Sequence, residues 1–214
     1  ITDHTIANIK QRECLLASKK REGTLEFDDP SDPLVSIVIP VYNNWTFTEA
    51  CLWSVKNNSG TEVAYEVIIA DDCSTDETKS RLAEISGLKV LANEKNLGFL
   101  RNCNNAVKHT RGRYIVLLNN DTEVSQNWLV LMLNVFSNFD RVGVVAAKLI
   151  YPDSRVQEAG GIMMSNGWAH PYGRFEEPEK YEFNYVKEVD CAIGACLMIE
   201  KALFEKIGGF DERY

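Results

Sequence analysis

Gly112-Arg-Tyr-Ile-Val-Leu-Leu-Asn-Asn-Asp-Thr-Glu-Val124 is an apolar run that stops abruptly at an Asn-Asn-Asp cluster. The run reads as a buried strand, and Asp121 then lies where that strand ends. In an open α/β sheet that edge is where ligands bind. A carboxylate placed there can hold a hard cation such as Mg²⁺ or Mn²⁺.

Working outward, the pattern from Leu34 on is apolar strand, turn and amphipathic helix, repeated, as in a parallel sheet with crossover helices. Val35–Pro40 is the first predicted strand and Val67–Ala70 the second. Thr46-x-x-Glu49 reads as a capping box opening a helix to about Lys56. Ser74-x-x-Glu77 reads as another, opening a helix to about Ser86. A third helix is predicted from Leu97 to His109, with Leu100, Cys103 and Val107 on one face and Gly112 closing its carboxyl end. Trp128, Met132, Val135 and Phe136 mark a further helix, Val142–Ala147 a buried strand, and Ala195–Ile199 a strand before a short helix ending at Gly208-Gly209. The fold class expected is α/β, an open, mostly parallel twisted sheet flanked by helices.

Residues 1–33 read as a leading helix, with Ile6, Ile9, Leu15 and Leu16 at loosely helical spacing, and a Pro/Asp linker, Asp28-Asp-Pro-Ser-Asp-Pro33. Residues 34–124 form the nucleotide-binding half of the expected organisation and 125–214 an acceptor-side half. In the latter, glycines mixed with Trp168, His170 and Tyr172 suit a loop-rich surface that shapes a pocket. Opening on Ile1 and stopping at Tyr214 with no closing helix or strand, the chain is expected to be part of something longer, incomplete at its carboxyl end.

A formal net charge of −8 and a pI near 5.0 over 214 residues argue against a nucleic-acid partner, which would need clustered Lys and Arg. Any phosphate ligand here needs a metal or local donors. The six cysteines lack paired metal-type spacing and sit mostly in apolar runs, which suits reduced thiols and a cytoplasmic setting. No apolar segment reaches the roughly 18–20 residues of a membrane helix.

Strand one ends at Pro40-Val-Tyr-Asn-Asn44 and strand two at Asp71-Asp-Cys-Ser-Thr-Asp76. If the strands are parallel neighbours, both turns open on the same edge. An aromatic ring, a carboxylate able to accept an N–H and exposed backbone donors together suit a nucleobase and its ribose. Asp71 and Asp72 can equally start a turn and cap a helix. Arg174, His170, Glu158 and Trp168 are candidates to line a sugar or acceptor site.

Five stretches carry a resemblance: Val35-Ser-Ile-Val-Ile-Pro-Val-Tyr-Asn43, Glu66-Val-Ile-Ile-Ala-Asp-Asp-Cys-Ser-Thr-Asp-Glu-Thr78, Asn93-Glu-Lys-Asn-Leu-Gly-Phe99, Leu117-Leu-Asn-Asn-Asp-Thr-Glu-Val124 and Gly208-Gly-Phe-Asp-Glu212. In this order they resemble the motifs of family-2 glycosyltransferases. The resemblance implies a GT-A fold and inverting transfer of a sugar from a nucleotide-sugar donor, a UDP- or dTDP-sugar. By position it makes Pro40, Tyr42, Asp72, Asn96, Arg101, Asn119 and Asn120 nucleotide-binding and Asp121 the ligand of Mg²⁺ or Mn²⁺. Asn119 stands where the family's Asp-x-Asp segment has its first Asp, leaving one carboxylate for the metal. Tyr151–Gly161 and Asp190–Cys196 look like the subgroup, including rhamnosyltransferase-like members, that builds bacterial surface polysaccharides. That implies a glycan or lipid-linked acceptor and peripheral contact with the inner face of the cell membrane through regions outside this chain.

The family's base belongs to a Glu-Asp pair shortly after the Gly-Gly-Phe-Asp-Glu segment, beyond Tyr214. Asp211 and Glu212 are the nearest carboxylates here, so this chain is expected to bind nucleotide and metal but to transfer sugar poorly. Three other readings stay open: a sugar-1-phosphate nucleotidyltransferase, a receiver-type signalling domain, and a domain that binds nucleotide without turnover. The first would want a basic Gly-rich loop where Pro-Val-Tyr-Asn-Asn stands.

Overall fold

The computed structural model describes residues 12–18 and 22–213. Ile6 and Ile9 of the predicted leading helix lie outside this range. The described part of that helix is α1, residues 12–18, followed after the linker by β1 (Val35–Val41), α2 (Trp45–Asn58), β2 (Tyr65–Asp71), α3 (Thr78–Leu82), β3 (Leu88–Ala92), α4 (Phe99–Val107), β4 (Tyr114–Leu118) and α5 (Trp128–Asn138). Then come β5 (Val144–Ala146), the short strands β6 (Leu149–Ile150), β7 (Val156–Glu158), β8 (Gly161–Met163) and β9 (Ala169–Pro171), and finally β10 (Cys196–Glu200) and α6 (Lys201–Lys206).

The main sheet has the order β3-β2-β1-β4-β10-β5. β3, β2, β1 and β4 are mutually parallel, and β10 runs antiparallel to both β4 and β5. Alternation along the strands divides the core. Ile37, Ile39, Val67, Ile69, Val116 and Leu118 face Cys51, Leu52 and Val55 of α2 and Leu129 and Met132 of α5. Val38, Ile68, Ala70, Ile115 and Leu117 face Cys103, Ala106 and Val107 of α4 and Phe204 of α6. With both faces covered, β1 and β2 have no solvated side, so they read as unbroken apolar runs.

Several predicted boundaries are corrected. α2 begins at Trp45 with Asn44 as its N-cap, and no side chain of its own caps it, so Thr46 and Glu49 form no capping box. Ser74 does not open α3; its hydroxyl accepts from Asn43 N instead (2.8 Å), and the helix starts only at Thr78 and ends at Leu82. Gly112 stops no helix, because α4 ends at Val107. It lies against β1, where an added Cβ would stand 2.6 Å from Ser36 N and 2.7 Å from Val35 C. The strand predicted as buried over Val142–Ala147 is β5, a half-exposed edge of three residues.

At the amino ends of the strands, Glu66 is buried and fully engaged. It accepts from Ser36 Oγ (2.6 Å), Arg111 N (2.6 Å) and Arg111 Nε (2.8 Å). Burial pushes its carboxyl up, but these bonds and the Arg111 charge outweigh that and hold it below the ordinary glutamate range. Arg111 also pairs with Asp29, tying the linker to the sheet. Leu25 and Phe27, just upstream, pack against the core.

Candidate functional site

Parallel alignment brings the carboxyl ends of β1, β2 and β4 to one edge. Antiparallel β10 begins at that edge, with Cys196 opposite Leu118, and β5 ends there, with Ala146 opposite Leu197. Everything between β5 and β10 therefore leaves and re-enters the sheet at the edge that carries Asp121.

The first two turns interlock. Asn43 and Asn44 both take left-handed backbone (φ 57 and 59). That conformation, which Asn tolerates better than most residues, turns Asn43 Oδ1 onto Thr75 N (2.7 Å) and Asp76 N (3.3 Å). Asp72 N donates to Val41 O (2.8 Å). Asp76 faces the start of α2. Burial pushes its carboxyl up, but Thr78 and the N–H groups of Trp45 and Asn44 pull it below the ordinary range. A carboxylate from the neighbouring turn thus supplies the negative charge that a helix start prefers.

Asp72 is 4% exposed, and its oxygens are spent on the chain itself. Oδ1 accepts from Asn93 Nδ2 (2.9 Å) and Leu97 N (2.8 Å), and Oδ2 from Gly98 N (2.9 Å). Asn93 also donates to Asn102 Oδ1 (2.8 Å), and Asn102 to Ala70 O (2.7 Å). Asp72 thereby anchors the Asn93–Gly98 loop that opens α4. Asn96, exposed at the crest of this loop, accepts from Gly98 N (3.0 Å). Of the other residues assigned to the nucleotide, Pro40 is buried near the end of β1, past the register that pairs β1 with β4, so its missing N–H breaks no bond on that side. Tyr42 follows it and is half exposed.

The turn after β4 hangs mainly on one helix. Asn120 Nδ2 donates to Thr48 Oγ1 (2.9 Å), Cys51 Sγ to Asn119 O (3.6 Å), Val124 N to Ser54 Oγ (3.0 Å), and Asn58 Nδ2 to Val124 O (3.0 Å). α2 therefore fixes residues 119–124 from end to end. The turn leaves the Asp121 side chain exposed, and among the described residues nothing hydrogen-bonds or ion-pairs with its carboxylate. Asn119 Oδ1 is buried with no hydrogen-bond partner. Such an acceptor is costly and uncommon in a native fold.

These two oxygens permit a test of fit to a cation. Among the described residues no group of three or more His, Cys, Asp or Glu comes together to cage a metal. One open carboxylate with a spare amide oxygen suits Mg²⁺ or Mn²⁺, which takes few protein ligands and fills its other positions with phosphate oxygens and water. The buried thiols are no rival ligands: burial pushes Cys103 and Cys196 up to about 12 and Cys51 higher still.

The carboxyl-terminal segment docks on α4. Asn104 exchanges hydrogen bonds with the backbone of Phe210 (2.9 and 2.8 Å), and Phe210 packs on Phe99 and Phe204. Gly209 has φ 74, and a Cβ there would lie 2.6 Å from Asn104 Oδ1. Glu212 accepts from Asn104 Nδ2 (3.2 Å) and pairs with Arg101 (3.4 Å). Arg101 is thus joined to the docked segment. Asp211 is gripped by Arg213, whose hydrogen bonds hold its carboxyl below the ordinary range, the wrong direction for a general base, whose pKa should lie near the working pH.

Among the acceptor-side candidates, Glu158 is buried and accepts from Ile193 N (2.7 Å). It secures the segment leading back to β10. Trp168 is 74% exposed beside the β8–β9 hairpin that carries His170, and Arg174 lies over the Phe175 ring. The polar residues of α2 that hold the Asp121 turn were missed in the sequence. Their only signal is Thr48, Cys51 and Ser54 on an otherwise apolar face.

The sequence model described as Glycosyl transferase family 2 matches residues 36–208. The O-antigen biosynthesis protein RfbC of Myxococcus xanthus is 34% identical over 115 residues, 51% of this chain and 9% of that protein. The UDP-Glc:alpha-D-GlcNAc-diphosphoundecaprenol beta-1,3-glucosyltransferase WfgD of Escherichia coli is 28% identical over 170 residues, 78% of this chain and 60% of that enzyme. Among solved structures, the mannosyltransferase PcManGT from Pyrobaculum calidifontis in complex with GDP-Man and Mn²⁺ superposes with a TM-score of 0.58 at 18% identity, over 96% of this chain and 55% of that one. At that identity the likeness speaks for the fold, which is GT-A. The chain spans less than two thirds of the length of the relatives named here.

Proposed function

This chain belongs to glycosyl transferase family 2, and on that premise we propose that its sheet edge binds a nucleotide-sugar donor whose sugar is transferred, with inversion, to a glycan or lipid-linked acceptor in surface-polysaccharide assembly. The observation that carries the reading is the Asp121 turn. Four residues of α2 hold it rigid while its carboxylate stays open. Preorganisation of that kind suits a ligand arriving from outside, since the chain pins the backbone and reserves the side chain.

In this reading Tyr42 and the Asn93–Gly98 loop flank the base and ribose, and Asn119 and Asp121 lie at the diphosphate. Asp121, with the amide oxygen of Asn119, would hold Mg²⁺ or Mn²⁺, which supplies charge neutralisation for the departing diphosphate. Asn120 keeps the turn in place through Thr48. Segments between β5 and β10 face the sugar and acceptor. Asp211 and Glu212 serve to hold the Gly208–Glu212 segment on α4, and we assign the acceptor's proton to neither.

Titration calorimetry with UDP, dTDP and GDP, with and without Mn²⁺, tests the proposal. Binding of at least one nucleotide should require Mn²⁺ and weaken by about a hundredfold or more in Asp121→Ala, as expected for loss of the one carboxylate ligand. Binding indifferent to both metal and substitution would refute it.

A further inference from the structure

Residues 12–18 precede the segment matched by the family model, yet α1 is seated at the candidate site. Leu16 is buried against Phe47 and Ala50 of α2. Arg12 lies over the Phe47 ring, 5.4 Å from its centroid, and its Nη2 donates to the backbone oxygen of Asp121 (2.7 Å). Phe47 is itself adjacent in sequence to Thr48, which holds Asn120. The two contacts set the guanidinium on the very residue whose carboxylate the site leaves open.

A guanidinium has five N–H donors in a planar fork. Among the described residues, the Asp121 carbonyl is the only hydrogen-bond partner of the Arg12 guanidinium. The rest of the fork is available at the turn. An acidic chain that takes a diphosphate needs positive charge at that point beyond what one ion supplies, and Arg is the side chain whose geometry matches phosphate oxygens. Arg101, the other cation assigned to the nucleotide, is joined to Glu212.

We propose that Arg12, supplied by a helix outside the family-matched segment, is a donor-binding residue that contacts the diphosphate and holds the Asp121 turn toward it. The inference rests on the nucleotide-sugar reading above, and deepens it by adding a phosphate contact. It also assigns α1 a role as one wall of the site.

The test compares UDP, uridine and inorganic pyrophosphate in the presence of Mn²⁺, for wild type, Arg12→Ala and Arg12→Lys, with a thermal melt of each protein. Arg12→Ala should weaken UDP and pyrophosphate by roughly tenfold or more, the scale of a lost charge-assisted hydrogen bond. Uridine affinity should stay within about twofold and the melting temperature nearly unchanged. Arg12→Lys keeps the charge without the fork and should recover part of the loss. Equal loss for UDP and uridine, or a lowered melting temperature accounting for both, would reduce Arg12 to a structural contact and overturn the proposal. Unchanged binding in Arg12→Ala overturns it while leaving the nucleotide-sugar reading intact. If wild type binds neither UDP nor pyrophosphate, both fall.

Discussion

Replacing Asp72 by Asn separates two roles for one carboxylate. The family resemblance places Asp72 on the nucleotide, whereas the structure commits it to Asn93, Leu97 and Gly98. An Asn can keep its amide oxygen toward Asn93 and Leu97, but its NH₂ then faces the Gly98 N–H, which is also a donor. One hydrogen bond to a charged acceptor is lost, about 1.5–3 kcal/mol, and the two that remain go to a neutral oxygen, while the Gly98 N–H keeps only Asn96 Oδ1 (3.0 Å). The expected cost is about 2–3 kcal/mol, a large part of a typical stability of roughly 5–15 kcal/mol. At about 2–4 °C per kcal/mol for a domain of this size, the melting temperature should fall by roughly 4–12 °C. Amide hydrogen exchange should place the loss locally, with Leu97 and Gly98 exchanging faster while amides in β4 stay protected. The reasoning fails if Asp72→Asn melts within about 1 °C of wild type and instead loses nucleotide affinity, because the carboxylate would then be serving the ligand.

Two further outcomes follow from packing at the opposite end of the sheet. Because Glu66 is held below the ordinary glutamate range, the unfolded chain binds its proton first as pH falls. Its stabilisation is therefore complete above the unfolded value of about 4.3 and fades as acid passes through the lower folded value. Glu66→Gln should be less stable near pH 7, with the gap to wild type narrowing below about pH 4, as read from urea unfolding across pH. Gly112→Ala drives a methyl into the backbone of Val35 and Ser36. A rigid strand cannot yield as a side chain would, so a cost of about 1–3 kcal/mol or more is expected in the same assay. Wild-type stability would refute the close packing of the β4 entry on β1.

What could be seen in the sequence was what repeats: apolar strands covered on both faces, amphipathic helices between them, and turns placed where strands end. The Asp121 turn and the Tyr42–Asn44 and Asp71–Asp76 turns were located for that reason. What escaped was wherever a polar side chain chose a partner far away in sequence. Ser74 looks like a local cap of α3, yet it serves Asn43, and Asp76 serves Asn44 and Trp45 at the start of α2 as well as Thr78. Gly112 looks like a helix stop, yet it yields room to a strand more than seventy residues upstream. Antiparallel β10 between β4 and β5 was likewise hidden, since an apolar run does not state its direction. The reach of Arg12 to Asp121 is the same kind of case, a contact between residues 109 apart.

The reversed course of β10 has a consequence for how such a molecule can diverge. Because β5 delivers the chain to the rim and β10 collects it from that rim, the intervening stretch is a cassette with a single doorway. It can be lengthened, shortened or exchanged without shifting the register of any ladder of the main sheet or disturbing the helix that holds Asp121. One half of the chemistry can then be conserved while the other is rewritten.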